Sequence, residues 1–282
     1  MEDGDRSTPE HQVFEFAPRS ADFCIGIPVI NEGNRLREQL TEMRSLDLGA
    51  DVIIADGGST DGSVDPDFLR RARVRTLLVK TGPGFLSAQL RMFFAYAIRQ
   101  GYRGIMTIDG NGKDGVEGLV TVRRGLEDGY DFVQGSRFVQ GGTEENTPFD
   151  RKVGLRLIHA PIISRVAGFR YTDTTNGLRG WSRRVLVDPR VAPLRDVFQT
   201  YDLHYYLSAR IPRLGYRVTE VPVRRSYPVG GGSTPSKISG LRGRIHILRL
   251  LARILLHRYD PPAPTPKRPS EEAANRHKKQ PS

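Results

Sequence analysis

Two acidic residues each stop a short apolar run. Asp56 closes Asp51-Val-Ile-Ile-Ala55, and Asp109 closes Gly104-Ile-Met-Thr-Ile108. If these runs are parallel strands of one sheet, their carboxyl ends lie along one edge, and both carboxylates face one cleft. Acids placed so can hold a nucleotide's ribose or base and a divalent cation. Glycines at 57, 58, 110 and 112 let a ligand approach the backbone. One Asp-Gly pair alone is most often a plain turn. Two in register, with Asn31-Glu32 ending a third apolar run, favour a ligand site. Other phosphate chemistries fail locally: there is no GxxxxGKS/T loop and no GxGxxG between a strand and a helix. Thr81-Gly-Pro-Gly84 is a turn more readily than a phosphate loop. No HExxH or Cys/His cluster occurs, and His159, His204, His246 and His257 stand singly, as structural or surface residues do.

The elements that must position these residues can be read from the hydrophobic pattern. Phe23 to Ile30, Asp51 to Ala55, Val74 to Val79, Gly104 to Ile108 and Asp131 to Gln134 are short apolar strands. Helical spacing fills the gaps over 34–46 (with Asn34 as N-cap), 85–99 and 115–127. Strands alternating with helices predict an α/β fold, a mostly parallel sheet flanked by helices. Beyond residue 140 the alternation loosens to a helix over 150–167, a strand over 176–181, a helix over 201–209 and a strand over 217–224. Residues 1–21 are expected to form a flexible leader, 22–240 the domain (halves 22–138 and 139–240), 241–259 a basic amphipathic helix and 260–282 a disordered basic tail.

The length of 282 residues and 38% apolar content suffice for a substantial core. No stretch approaches the roughly 18 apolar residues of a spanning helix, the N-terminus lacks a signal-peptide pattern, and one cysteine, Cys24, excludes a disulfide framework. A cytoplasmic protein is expected. The net charge of +11 suggests nucleic acid at first. Ten Lys/Arg against three acids place +7 beyond residue 240, leaving +4 on the first 240 residues. The excess belongs to an appendage without interleaved aromatics, so no specific nucleic-acid partner is expected.

Four motifs occur in order: Pro28-Val-Ile-Asn-Glu32, Ala55-Asp-Gly-Gly-Ser-Thr-Asp-Gly62, Ile108-Asp-Gly-Asn-Gly-Lys-Asp114 and Gly135-Ser-Arg-Phe138. Together they resemble the nucleotide-sugar half of a family 2 glycosyltransferase of the GT-A fold. Downstream, Asp173-Thr-Thr-Asn-Gly-Leu-Arg-Gly-Trp-Ser-Arg183, Gly215-Tyr-Arg-Val-Thr-Glu-Val-Pro-Val223 and Pro235-Ser-Lys-Ile238 resemble the dolichol- or polyprenyl-phosphate branch. The resemblance spans about residues 23 to 257 and implies a single Rossmann-like domain binding a UDP- or GDP-sugar. It implies that Pro28, Asn31, Glu32, Asp56 and Gly58 line the nucleotide pocket. Asp109 and Asn111 occupy the family's Asp-x-Asp, which holds Mg2+ or Mn2+ and the diphosphate. Three positions depart from the pattern: Ile30 replaces the usual Tyr, Asn111 an acid and Lys113 a common Gln. Lys113 brings positive charge toward the diphosphate, so metal dependence is expected to be weakened, unless Asp114 compensates as a ligand.

Charge is needed at two places, on the leaving diphosphate and on the phosphate of a lipid acceptor. Arg137, Arg179 and Lys237 match the branch's basic positions, with Arg183 a weaker candidate. A phosphate acceptor needs no strong base, whereas a hydroxyl acceptor does. For that role Asp202 is the first candidate and Asp173 the second, each open to a plain helix-capping role. The resemblance implies an inverting transfer to polyprenyl phosphate. The alternatives are transfer to a hydroxyl of a soluble metabolite or growing glycan, and a decayed sugar-nucleotide binder. The stretch 241–259 carries apolar residues at helical spacing among arginines, which suits either packing on the core or lying on an anionic membrane surface. The expected location is therefore cytoplasmic, and under the second of these readings peripheral on the inner face of the membrane.

Overall fold

The computed structural model describes residues 8–227 and 240–262. Its centre is a sheet of eight strands: β1 (His11–Glu15), β2 (Phe23–Val29), β3 (Ala50–Asp56), β4 (Val74–Lys80), β5 (Gly104–Thr107), β6 (Phe132–Ser136), β8 (Arg179–Ser182) and β9 (Val218–Pro222). The spatial order is β1-β4-β3-β2-β5-β8-β6-β9. The run β4-β3-β2-β5 is parallel, β8 is antiparallel to both neighbours, and β6 and β9 pair in parallel. β2 is buried along its whole length, as a continuous apolar run between two helical layers must be.

One face carries α1 (Asn34–Arg44), α2 (Pro66–Arg71) and α4 (Gly118–Glu127); α1 meets it through Leu36, Leu40 and Met43. The other carries α3 (Leu86–Arg99), α6 (Ala160–Ala167), α7 (Arg183–Leu186), α8 (Asp202–Arg213) and α9 (Gly240–Leu255). α3 lies so close to β2 that a Cβ on Gly26 would stand 2.4 Å from the Phe93 ring, which is why that strand position is glycine.

Several expectations change. The described part of the expected leader is not loose: β1 pairs antiparallel with β4, His11 opposite Lys80 and Glu15 opposite Thr76. Gly33, at φ 57°, rather than Asn34, caps α1. The helix expected over 150–167 comprises α5 (Phe149–Gly154), a π-helical turn (Leu155–His159) and α6. Pro161 has no N–H to return to the carbonyl four residues back, and the widened turn lies just ahead of it. The strand expected over 217–224 divides: β9 stays in the sheet, and β10 (Arg224–Ser226) leaves it to pair in parallel with β7 (Thr143–Glu145).

The stretch 241–259 is helical as far as Leu255, continues as a turn, and packs on the core. Leu250, Leu251 and Ile254 of α9 are buried, and Tyr259 stacks on Phe198 with 5.6 Å between ring centroids. Asp260 is bonded to Arg210 and Arg213 of α8 at 2.9 and 3.1 Å, so the chain leaving α9 is tied to the domain. The remainder of the expected tail, from 263, lies outside the described residues.

Candidate active site

The carboxyl ends of β2, β3 and β5 meet at one edge, as the acids predicted. Gln89 of α3 holds that edge together: its Nε2 donates to the carbonyls of Val29 (2.7 Å) and Ala55 (2.9 Å). Sequence reasoning missed this residue, since a buried glutamine on an apolar helix carries no motif. Pro28 lies within β2, opposite Ala55. Asn31, at φ 54°, accepts from the Thr60 amide at 2.8 Å through Oδ1, and Glu32 pairs with Arg35 at 3.0 Å.

Asp56 is buried, and its carboxylate accepts from the amides of Gly58 and Ser59 at 3.0 Å and from the Ser59 hydroxyl at 2.6 Å. These donors lie within three residues, so Asp56 shapes the loop that follows β3.

Asp109 sits just past β5 with its side chain 25% exposed, reachable from the cleft. Its carboxylate lies against Gly177, where a Cβ would come within 2.3 Å of Oδ1. Asn111 Nδ2 is 3.5 Å from Asp109 Oδ2, and Asn111 Oδ1 accepts from the Lys113 amide at 3.2 Å. The Gly112 amide donates to Gln39 of α1 at 3.1 Å, fixing the loop from its other side.

Arg225 of β10 reaches the same place. Its Nη1 donates to both Asp114 oxygens at 2.8 and 2.7 Å, and its Nη2 lies 3.7 Å from Asp109 Oδ2. Burial opposes the charge on Arg225, but Asp114 and Asp109 outweigh it and hold the guanidinium firmly protonated. Asp114 is thus engaged by an arginine and not turned toward a metal. Lys113 Nζ lies 5.1 Å from the centre of the Tyr227 ring, which also has the Arg225 and Arg151 guanidinium carbons at 5.6 and 5.9 Å. Burial and then Arg225 draw the Lys113 ammonium below its ordinary value. Burial would raise the Tyr227 phenol, yet Arg225 and Arg137 bring it down. The signal for Arg225 and Tyr227 was the segment between two recognised motifs, which carried no pattern of its own.

Arg137 follows β6 and is buried against Asp173. Its Nε donates at 2.6 Å and its Nη2 at 3.2 Å to that carboxylate, and Nη2 also reaches Thr175 Oγ1 at 3.0 Å. Burial pushes Asp173 up, but Arg137 and the Thr175 amide overcome it and hold the carboxyl below its usual range. Glu220 of β9 orients the pair, accepting from the Thr172 and Asp173 amides at 2.8 and 2.9 Å. Asp202 opens α8, buried, with Oδ2 3.4 Å from both the Thr200 amide and hydroxyl and Oδ1 3.0 Å from the Leu203 amide.

One expected contact is corrected. Arg179, foreseen as a partner of the acceptor phosphate, is 1% exposed and turns inward. It donates to the carbonyls of Asn176 (2.9 Å), His204 (3.0 Å) and Thr174 (2.9 Å) and to Ser208 Oγ (3.0 Å). Its donors are committed to packing β8 on α8. Arg183 begins α7 at the opposite end of β8, and its amide bonds the Arg103 carbonyl at 2.9 Å. Lys237 lies outside the described residues.

Among solved structures, the fold is similar to glucosyl-3-phosphoglycerate synthase from Mycobacterium tuberculosis, in complex with Mn2+, UDP and glucosyl-3-phosphoglycerate. The TM-score is 0.59 at 16% identity, over 85% of this chain and 80% of that one. The fold is therefore that of the GT-A glycosyltransferases. No protein-family model matches the chain. By sequence it is similar to polyprenol monophosphomannose synthase of Mycolicibacterium smegmatis, 28% identical over 207 residues, 70% of this chain and 74% of the relative. It is also similar to undecaprenyl-phosphate mannosyltransferase of Micrococcus luteus, 29% identical over 202 residues, 70% of this chain and 80% of the relative. These relatives bear out the resemblance to family 2 and its polyprenyl-phosphate branch.

Proposed function

We propose that this chain transfers a sugar from a nucleotide diphosphate sugar to the phosphate of a polyprenyl phosphate, inverting the anomeric carbon. The observation that carries the choice of acceptor is the state of the acids. Asp173 is held charged by Arg137, and Asp202 is engaged by Thr200 and its own helix start. A hydroxyl acceptor needs a free base, whereas a phosphate brings its own charged oxygen. The relatives named for polyprenol and undecaprenyl-phosphate substrates support the same reading.

In this mechanism an oxygen of the acceptor phosphate attacks the anomeric carbon. The bond from that carbon to the donor diphosphate breaks, and the nucleoside diphosphate leaves with the electron pair. The loop 109–113 lies where the leaving diphosphate develops charge, and Arg137, set beside it, would face the acceptor. Among the described residues no group of three or more His, Cys, Asp and Glu could hold a metal ion. A divalent cation would be held by the Asp109 carboxylate and Asn111 Oδ1 and would neutralise the leaving group, but one carboxylate shared with Arg225 and one neutral oxygen engaged by the Lys113 amide fit it poorly, so no step is drawn through it.

A polyprenyl phosphate presents its phosphate at a bilayer, and the helices beside the site suit that surface. No described helix is long and apolar enough to cross a membrane. Phe149 and Leu157 of the α5 region are 80% and 72% exposed, and Leu248 and Leu255 of α9, with Leu256 just after it, are exposed too. Arg244 of α9 bonds Asp150 of α5 at 2.7 Å, joining the two segments. Arginines border these apolar residues, the composition of a helix face seated on anionic lipid.

The test is a transfer assay with labelled UDP- and GDP-sugars and short-chain polyprenyl phosphate, with and without Mg2+ or Mn2+. A labelled, acid-labile lipid is the expected product, and Asp202→Asn is expected to retain it. Donor hydrolysis without labelled lipid, together with loss of turnover in Asp202→Asn, would move the acceptor to a hydroxyl. Donor binding with neither hydrolysis nor transfer would mark a binder.

A further inference from the structure

We propose that Lys113 and Arg225 hold the donor's diphosphate directly, so that this protein binds a nucleoside diphosphate without a divalent cation. The inference rests on the proposed donor and goes beyond it by naming the groups that neutralise the leaving phosphates.

Asp109 is already crowded by donors. Its one reachable carboxylate has a guanidinium 3.7 Å away and an amide N–H group 3.5 Å away. Asn111 offers a neutral oxygen that the Lys113 amide already engages. A divalent cation arriving here meets a single carboxylate shared with an arginine, a weak protein contribution to its shell. Positive charge, by contrast, is abundant. Lys113, Arg225 and Arg151 gather around the Tyr227 ring, and Arg137 lies close enough to act on the same phenol. Two acids are committed to two of these cations: Asp114 to Arg225 and Asp173 to Arg137. Among the described residues Lys113 has no carboxylate within ion-pair distance, although it is only 9% exposed. A largely buried ammonium without an acid, beside a pinned guanidinium, calls for an anion.

The position of the cluster selects which anion. Lys113 lies four residues beyond Asp109 on a loop held at both sides, by Gln39 at Gly112 and by Ser226, whose amide donates to the Lys113 carbonyl at 2.8 Å. Arg225 is held over that loop by pairing with Asp114 and by the ribbon that β10 forms with β7. Both cations are thus fixed to the loop that ends β5, where the donor's phosphates fall in the proposed function. A diphosphate bridging them would gain charge-assisted hydrogen bonds without further ordering of the loop. A phosphate of the lipid acceptor shares this chemistry, so the experiment must separate the two sources.

The experiment is calorimetric titration of the full chain with UDP, GDP and a short-chain polyprenyl phosphate, in EDTA and in Mg2+ or Mn2+. For the nucleoside diphosphate that binds, removing metal is expected to change Kd by about threefold or less. Lys113→Gln is expected to weaken its metal-free binding about tenfold or more, the worth of one charge-assisted contact. Added Mn2+ should recover most of that loss, because a neutral amide no longer repels a cation beside Asp109. Polyprenyl phosphate binding should be unchanged in this variant. Arg225→Gln risks the fold through Asp114, so its titration counts only where its Tm is retained, and the same loss in EDTA is then expected. Wild-type nucleoside diphosphate binding that vanishes in EDTA and returns with metal overturns the proposal while leaving the donor reading intact. A Lys113→Gln defect confined to polyprenyl phosphate also overturns it, by giving the cluster to the acceptor. Binding of neither nucleotide under any condition removes the donor reading, and this inference with it.

Discussion

Replacing Arg179 with lysine separates a structural arginine from a phosphate-binding one. The guanidinium makes four hydrogen bonds, to the carbonyls of Thr174, Asn176 and His204 and to Ser208 Oγ, in a position closed to solvent. Burial lowers its pKa to about 10, so it remains charged at neutral pH. Lysine preserves the charge but presents one nitrogen on a flexible stem in place of a planar fork spanning two elements. About two of the four acceptors would be left buried without a donor, at roughly 1–3 kcal/mol each, for a total near 4 kcal/mol. For a chain of this size about 2–4 °C is lost per kcal/mol, which places the expected fall in Tm at roughly 10 °C. Calorimetric melting of wild type and Arg179→Lys measures it. Transfer assays well below the lowered Tm should give a KM for polyprenyl phosphate within about twofold of wild type, because no acceptor contact was removed. An unchanged Tm with a tenfold rise in that KM would refute the reasoning and put the guanidinium at the acceptor.

Acid should destabilise the protein through its buried histidines. Burial, reinforced by Arg179, lowers the His159 pKa to about 3, and the same causes hold His204 well below its ordinary value. The unfolded chain protonates these rings near pH 6.5, so as pH falls from there toward 3 it binds protons that the folded state does not. Stability then drops by about 1.4 kcal/mol per pH unit for each ring. Denaturant unfolding at pH 7 and pH 5 should show the slope, and His159→Gln should remove about half of it; an unaltered slope would exclude His159 as a source. At the proposed membrane face, Phe149→Glu combined with Leu256→Glu should lower partitioning onto anionic vesicles by more than tenfold. Wild-type sedimentation with the vesicles after both changes would remove these residues from the contact.

The parallel core was legible because each of its strands is a short, mostly apolar run closed by a polar or glycine-rich stop. Phe23–Val29 and Ala50–Asp56 emerge within about a residue of the expected bounds. β1 was not legible: His11–Glu15 lies at the sheet edge with four of its five residues exposed, so burial imposed no pattern on it. The division of β9 from β10 also escaped, since Val223 continues the apolar alternation while the chain changes partner from β6 to β7. In the site, the strand-end acids were readable by type and spacing. What Arg179 touches was not, because the arginine of a motif has the same letter whether its fork turns to a ligand or to carbonyls behind the sheet. Arg225 was hidden for a related reason: its importance comes from Asp114, more than a hundred residues earlier in the chain.

The two halves of the proposed reaction meet at α5. Successive residues of a helix turn by about 100°, so Phe149 and Arg151 lie on nearly opposite sides of its first turn. Phe149 faces solvent, while Arg151 has its guanidinium 5.9 Å from the Tyr227 ring and thus borders the cationic cluster. Asp150 between them is bonded to Arg244 of α9, which brings the exposed apolar helix to the same corner. An acceptor whose tail lies in a bilayer and whose phosphate must reach a donor held by that cluster needs such a corner, where apolar contact and the donor's cations are one helix turn apart. A soluble acceptor gives no reason for the exposed phenylalanine. The arrangement of this short segment therefore joins the membrane-face proposal to the phosphate-acceptor proposal: each explains a side of α5 that the other leaves without a function.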